Sequence, residues 1–194
     1  MQSEPLHYLI VPGWHGSPSD HWQSHWQRTL PRSQRVEQAD WEQPQLADWV
    51  AELARAIDAT PAPVVLIAHS LGCPTVAHWA AHADDEALRR VCGALLVAPA
   101  DAERPDCPQP LRNFAPLPLA PLPFPSVLVG ANNDPAASAE RAQVLGKAWG
   151  SEVTILRGVG HLNVASGHHR WAEGLAFLDR LHALVGEQAQ RQGC

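Results

Sequence analysis

Ser70 stands between the apolar run Val64 to Ile67 and the helix-like stretch Cys73 to Ala83, inside Ala68-His69-Ser70-Leu71-Gly72. A serine at a sharp strand-to-helix turn forms a nucleophile elbow: the strained backbone lifts its hydroxyl clear, and the following helix aims its first amides at a developing oxyanion. Small residues must flank such a turn. Gly72 meets that need, while Ala68 adds one methyl group where the Gly-x-Ser-x-Gly pattern has its first glycine. The pentapeptide alone also suits a serine that merely caps a helix.

A serine hydroxyl is a weak nucleophile at neutral pH and needs a base to take its proton and an acid to orient that base. In α/β-hydrolases these follow in the order Ser, Asp or Glu, His, each after its own strand. Asp134 follows the apolar run ending at Gly130, and His161 follows the one ending near Leu156, in Arg157-Gly158-Val159-Gly160-His161. The two glycines would let the backbone turn His161 inward. Asp134-Pro135 also reads as the cap and first residue of a helix. Asp101 is the rival acid, although its strand, ending near Val97, comes one earlier than the usual acid position. His168 and His169 are the fallback bases, expected at the exposed start of the last helix. His69 is expected to point away from the hydroxyl. Two backbone donors must hold an oxyanion. The amide of Leu71 is the first, and the turn Val11-Pro12-Gly13-Trp14-His15-Gly16 supplies the second from Trp14, with His15 as runner-up.

The elements that must position these groups are short apolar runs alternating with segments of helical period, the pattern of an α/β fold with a mostly parallel sheet and helices on both faces. Strands are predicted at His7 to Val11, weakly around Val36, and at Val64 to Ile67, Ala94 to Val97, Ser126 to Gly130 and Val153 to Leu156. Asp20 can cap a helix bearing Trp22, Trp26 and Leu30, with Gln23 placed as in a capping box. Leu46, Trp49, Val50, Leu53 and Ile57 share the next helical face. Later helices are predicted from about Ala136 to Trp149 and from about Trp171 to Leu184. The stretch from Pro99 to Pro125 holds many of the chain's 18 prolines and cannot be a regular helix. It reads either as a lid over the site or as a stiff strap shielding the core.

At 194 residues the chain fits a single domain spanning 1–194, and 45% hydrophobic against 18% charged residues is ordinary globular chemistry. A net charge of -6 without a basic run argues against nucleic acid as the main partner. No run is long enough to cross a bilayer, and the apolar start at Tyr8 to Val11 lacks a basic leader and a cleavage site. Cys73, Cys92, Cys107 and Cys194 show no zinc or CxxC spacing, so a reducing cytoplasmic setting is expected. Cys73, one turn beyond Ser70, could let a thiol reagent block the site. His21 and His25 are four apart, but Trp22 stands where a zinc-protease motif needs glutamate, and no metal is expected.

With these residues in view, the chain resembles the small serine-hydrolase family that includes retinoblastoma-binding protein nine and the bacterial YdeN-like proteins. The likeness runs from Val11-Pro12-Gly13 through Ala68-His69-Ser70-Leu71-Gly72, Val97-Ala98-Pro99-Ala100-Asp101, Pro121-Leu122-Pro123-Phe124-Pro125 and Asn133-Asp134-Pro135 to Gly160-His161-Leu162-Asn163. It implies a compact α/β-hydrolase without a large cap domain, and a catalytic triad on Ser70, Asp134 and His161. Carboxylester and aminopeptide hydrolysis are both associated with the family. The expected function is therefore acyl-enzyme hydrolysis of a small carboxylic ester or amide, without a cofactor. A short or medium acyl ester comes first, because the strap offers apolar contacts and no charged anchor. The alternatives are a protein-binding module on a hydrolase scaffold, its partner unspecified, and an acyltransferase.

Overall fold

In a computed structural model describing residues 5–192, six parallel strands form one sheet in the order β2-β1-β3-β4-β5-β6. They are β1 (His7–Val11), β2 (Ser33–Arg35), β3 (Val64–His69), β4 (Val91–Val97), β5 (Ser126–Ala131) and β6 (Glu152–Leu156). The helices are α1 (Trp22–Thr29), α2 (Leu46–Ala59), α3 (Gly72–His82), α4 (Asp85–Arg90), α5 (Ala139–Trp149) and α6 (Leu175–Gln192). Side chains alternate across a strand, and both faces of this sheet are covered, which is why its central strands read as unbroken apolar runs. Leu9, Val11, Leu66, Ala68, Leu96 and Leu128 pack with α2, α3 and α5. Their neighbours Ile10, Val65, Ile67, Leu95, Val97 and Val129 pack with α1 and α6.

Strand order reverses between β1 and β3, because the chain leaves β1 toward β2 on one side and builds β4, β5 and β6 on the other. The crevice beyond the carboxyl ends of two such strands is where open α/β sheets place their ligands. Here the loop after β1 and the turn at Ser70 meet in that crevice.

Local chemistry corrects several predicted boundaries. Helix α1 is capped by His21, not Asp20: the His21 Nδ1 accepts the Gln23 amide at 3.1 Å. Gln23 forms no capping box and is buried. Helix α5 begins at Ala139 under a Ser138 cap, three residues later than expected, so Asp134 does not cap it. Trp171 has φ 46°, which cannot start an α-helix; a 3-10 turn over Ala172–Gly174 precedes α6. Helix α4 has no counterpart among the predicted elements, although Asp84 caps it through the Ala87 amide at 2.8 Å and Arg89 and Arg90 lie in its last turn. Val36 continues β2 by one bond, donating to the Ile10 carbonyl at 2.9 Å.

The proline-rich stretch contains one 3-10 helix, Gln109–Phe114, and packs as a shield. Leu111, Phe114, Leu117 and Phe124 enter the same core cluster as Trp49 and Leu66. His78 Nε2 donates to the Phe114 carbonyl at 2.8 Å, and Trp149 Nε1 to that of Pro118 at 2.7 Å. Those four apolar side chains, expected to offer contacts to an acyl chain, are therefore turned into the core, whereas Leu119 is exposed. Among the described residues no helix is long and apolar enough to cross a membrane.

Candidate active site

Ser70 follows β3 with φ 54°, the left-handed conformation that an elbow requires. Its own backbone is held on both sides: its amide donates to Val97 at 2.9 Å, and its carbonyl accepts from Cys73 at 3.0 Å and Ala100 at 3.2 Å. Close approach explains the small residues around it. A Cβ on Gly72 would overlap the Val11 carbonyl oxygen, and one on Gly13 would lie 2.7 Å from the Ser70 Cβ and 3.1 Å from the Leu71 nitrogen. The loop after β1 is thus seated directly on the elbow.

The structure brings Ser70, Asp134 and His161 together. The Ser70 hydroxyl donates to His161 Nε2 at 2.8 Å, and His161 Nδ1 donates to the two Asp134 carboxylate oxygens at 2.9 and 3.0 Å. Asp134 also accepts the Ala136 amide at 2.7 Å, which fixes its carboxylate. The hydrogen bonds assign His161 the tautomer with its proton on Nδ1. Its Nε2 lone pair faces the hydroxyl.

Four contacts fix the loop carrying His161, and the sequence had not revealed them. Asn132 and Asn133, just before Asp134, accept the amides of Gly158 and Gly160 at 2.9 Å each. His69 Nε2 donates to the His161 carbonyl at 2.9 Å, and Trp22 Nε1 to that of Leu162 at 2.8 Å. Paired asparagines beside an acid candidate were the one available signal, since their side chains readily bond to backbone.

Among the described residues, the Trp14 and Leu71 amides donate to no backbone acceptor. The His15 amide is spent on the Trp41 carbonyl at 3.1 Å, which removes the runner-up donor. The rival acid is also spoken for: Asp101 lies 3.2 Å from Arg141 and accepts the Glu103 amide at 3.1 Å. His168 Nδ1 contacts Ser166 Oγ at 3.0 Å, and His169 lies 3.8 Å from Asp20; both precede the 3-10 turn in a loop. Cys73 is fully buried, its thiol directed at the Val97 carbonyl and its pKa raised by burial, so it is shielded from reagents. Cys194 lies outside the described residues. Among the described residues no three His, Cys, Asp or Glu side chains gather as metal ligands.

The rings of His21 and His69, and of His69 and His161, lie 4.9 Å apart. Burial first, then Arg35, pushes His21 down to about 4, and complete burial holds His69 well below the ordinary histidine range. An unfolded histidine titrates near 6.5, so between those values the unfolded chain binds more protons than the folded one. Stability is then fully present above about pH 6.5 and falls as the pH drops toward 4, by about 3 kcal/mol for His21 alone. Urea midpoints from pH 8 to 4.5 should decline more steeply for the native chain than for His21→Asn, whose side chain can still cap α1. Parallel declines would contradict this assignment.

A family model described as serine hydrolase matches residues 8–180. A YdeN-like hydrolase from Pectobacterium atrosepticum is 33% identical, with 94% of each chain covered and a TM-score of 0.81. The ydeN gene product of B. subtilis is 19% identical over 92% of this chain and 98% of that one, with a TM-score of 0.75. Est1E from Butyrivibrio proteoclasticus, solved with ferulic acid bound, shares the fold at 14% identity, a TM-score of 0.71, and coverage of 94% of this chain and 90% of that one. No curated protein sequence matches significantly. The elbow serine and its hydrogen-bonded partners lie within the matched span, and the chain belongs to the serine hydrolase family.

Proposed function

We propose that this chain, as one α/β-hydrolase domain, hydrolyses a small carboxylic ester through an acyl-enzyme on Ser70, with an amide as the second substrate class. The carrying observation is the continuous hydrogen-bond chain from Asp134 through His161 to a hydroxyl held at positive φ. In acylation, Ser70 Oγ attacks the ester carbonyl while its proton passes to His161 Nε2. The amides of Leu71 and Trp14 stabilise the oxyanion, and Asp134 stabilises the imidazolium. As the tetrahedral intermediate collapses, the leaving alcohol takes the proton from Nε2. Water then repeats the sequence, giving up its proton to His161, releasing the carboxylic acid and restoring the Ser70 hydroxyl. No step calls on a metal or an organic cofactor.

Membership of the serine hydrolase family and structural likeness to esterases support an ester as the first class. A reducing cytoplasmic setting is part of the proposal, supported by Cys73, Cys92 and Cys107, which form no disulfide among the described residues. Turnover of p-nitrophenyl acetate, butyrate and octanoate should exceed that of aminoacyl p-nitroanilides by at least about 10-fold, because p-nitrophenolate leaves more readily than the nitrogen of p-nitroaniline. Anilide turnover above ester turnover would reverse the substrate order. Transfer of the acyl group to an added alcohol in preference to water would identify an acyltransferase.

A further inference from the structure

We infer that the first turn of α1, His21-Trp22-Gln23, is a positioning device that ties together the three loops carrying the oxyanion donor, the nucleophile and the base; this rests on the function proposed above. The three residues are almost completely buried on the α1 face of the sheet. Each reaches a different part of the site.

Gln23 acts at the switch point itself. Its Nε2 donates to Val11 at 3.3 Å and to Ile67 at 3.0 Å, the carbonyls near the ends of β1 and β3. Its Oε1 accepts the Ser17 hydroxyl at 2.6 Å, and the Ser17 carbonyl in turn accepts from Ser24 at 2.7 Å and Arg35 at 3.0 Å. One side-chain amide therefore spans both strands and the far end of the loop bearing Trp14. The separation of the Trp14 and Leu71 amides depends on how β1 and β3 leave the sheet, and the Gln23 clasp fixes that departure. A carboxamide left without partners at such a site would be costly. Here both amide hydrogens and the oxygen are engaged.

Trp22 acts on the base. Its indole N–H holds the carbonyl of Leu162, directly after His161, and Leu162 has φ 50°. A strained residue persists only where its surroundings over-determine it. His21 completes the turn, packing its ring against that of His69, which holds the preceding carbonyl. Consecutive carbonyls of the base loop are thus gripped from the elbow and from α1.

Ordinary core packing is separable from positioning by a matched control. Trp26, one turn further along α1, is equally buried and packs edge-on against Trp22 at 4.8 Å, but its Nε1 donates at 3.0 Å to the Arg170 carbonyl and not to the carbonyls of His161 or Leu162. Trp22→Phe, Gln23→Met and Trp26→Phe should all lower the melting temperature. Only the first two should lower kcat, by about 10- to 100-fold with KM within about 2-fold, since misplacing a reacting group by about 1 Å costs about that much. For Gln23→Met, affinity for a trifluoromethyl ketone transition-state analogue should fall in proportion to kcat/KM. For Trp22→Phe, the downfield proton resonance of His161 Nδ1–H should shift or broaden, and in Trp26→Phe it should not. Equal kcat in all three variants, or equal losses in all three, would overturn the inference. A native chain without turnover would instead contradict the proposed function; an unchanged His161 resonance in Trp22→Phe would then overturn this inference on its own.

Discussion

Ser70→Ala is expected to abolish ester turnover, a fall in kcat on the order of 10⁶-fold, while the protein stays folded. Alanine keeps the Cβ of serine, and the backbone contacts of the elbow, to Val97, Cys73 and Ala100, do not involve the hydroxyl. The side chain loses one hydrogen bond, to His161 Nε2, worth about 1 kcal/mol of stability. Rate and stability should therefore separate by several orders of magnitude. Steady-state assays with p-nitrophenyl butyrate, beside urea unfolding of both proteins, measure the two quantities. Residual turnover within about 10-fold of native would remove Ser70 from the reaction.

Asp134→Asn should lower kcat by about 10³- to 10⁴-fold, against a few-fold at most for Asp101→Asn. In the native site the carboxylate accepts from His161 Nδ1 through both oxygens. An asparagine can turn its NH₂ toward the ring, favouring the tautomer with the proton on Nε2. That tautomer cannot take the Ser70 proton. Asp101, by contrast, is occupied by Arg141 and the Glu103 amide; neutralising it should cost about 1–3 kcal/mol of stability and leave the tautomer alone. Parallel kinetics and unfolding of the two variants distinguish the roles. Comparable losses of kcat in both would return Asp101 to contention as the acid.

Much of this arrangement is written in residues that act locally. The parallel sheet follows from apolar runs buried on both faces, and the elbow from a serine between such a run and a helix. The order of Ser70, Asp134 and His161 follows strand order, because each stands in the loop or turn after its own strand, β3, β5 and β6. What escaped prediction depends on distant partners. Gln23 reads as a helix-capping residue until β1 and β3 lie beneath it, and Trp22 reads as core until the Leu162 carbonyl reaches its indole nitrogen. His69, expected to face away from the hydroxyl, makes no hydrogen bond to it, and its partner, the His161 carbonyl, lies 92 positions along the chain. The strap illustrates the opposite difficulty. Its apolar residues serve equally well in sequence as a lid or as a shield, and only their burial beside Trp49 and Leu66 favours the shield.

In the proposed reaction Ser70 is an activated nucleophile with His161 as its base. Intact-mass measurement after exposure to a fluorophosphonate reads that activation, because the reagent reports nucleophilicity without requiring the natural substrate. The prediction is one adduct on the native chain, absent in Ser70→Ala and formed at least about 10²-fold more slowly in His161→Ala. No adduct on folded native protein, or an adduct that persists in Ser70→Ala, would contradict it.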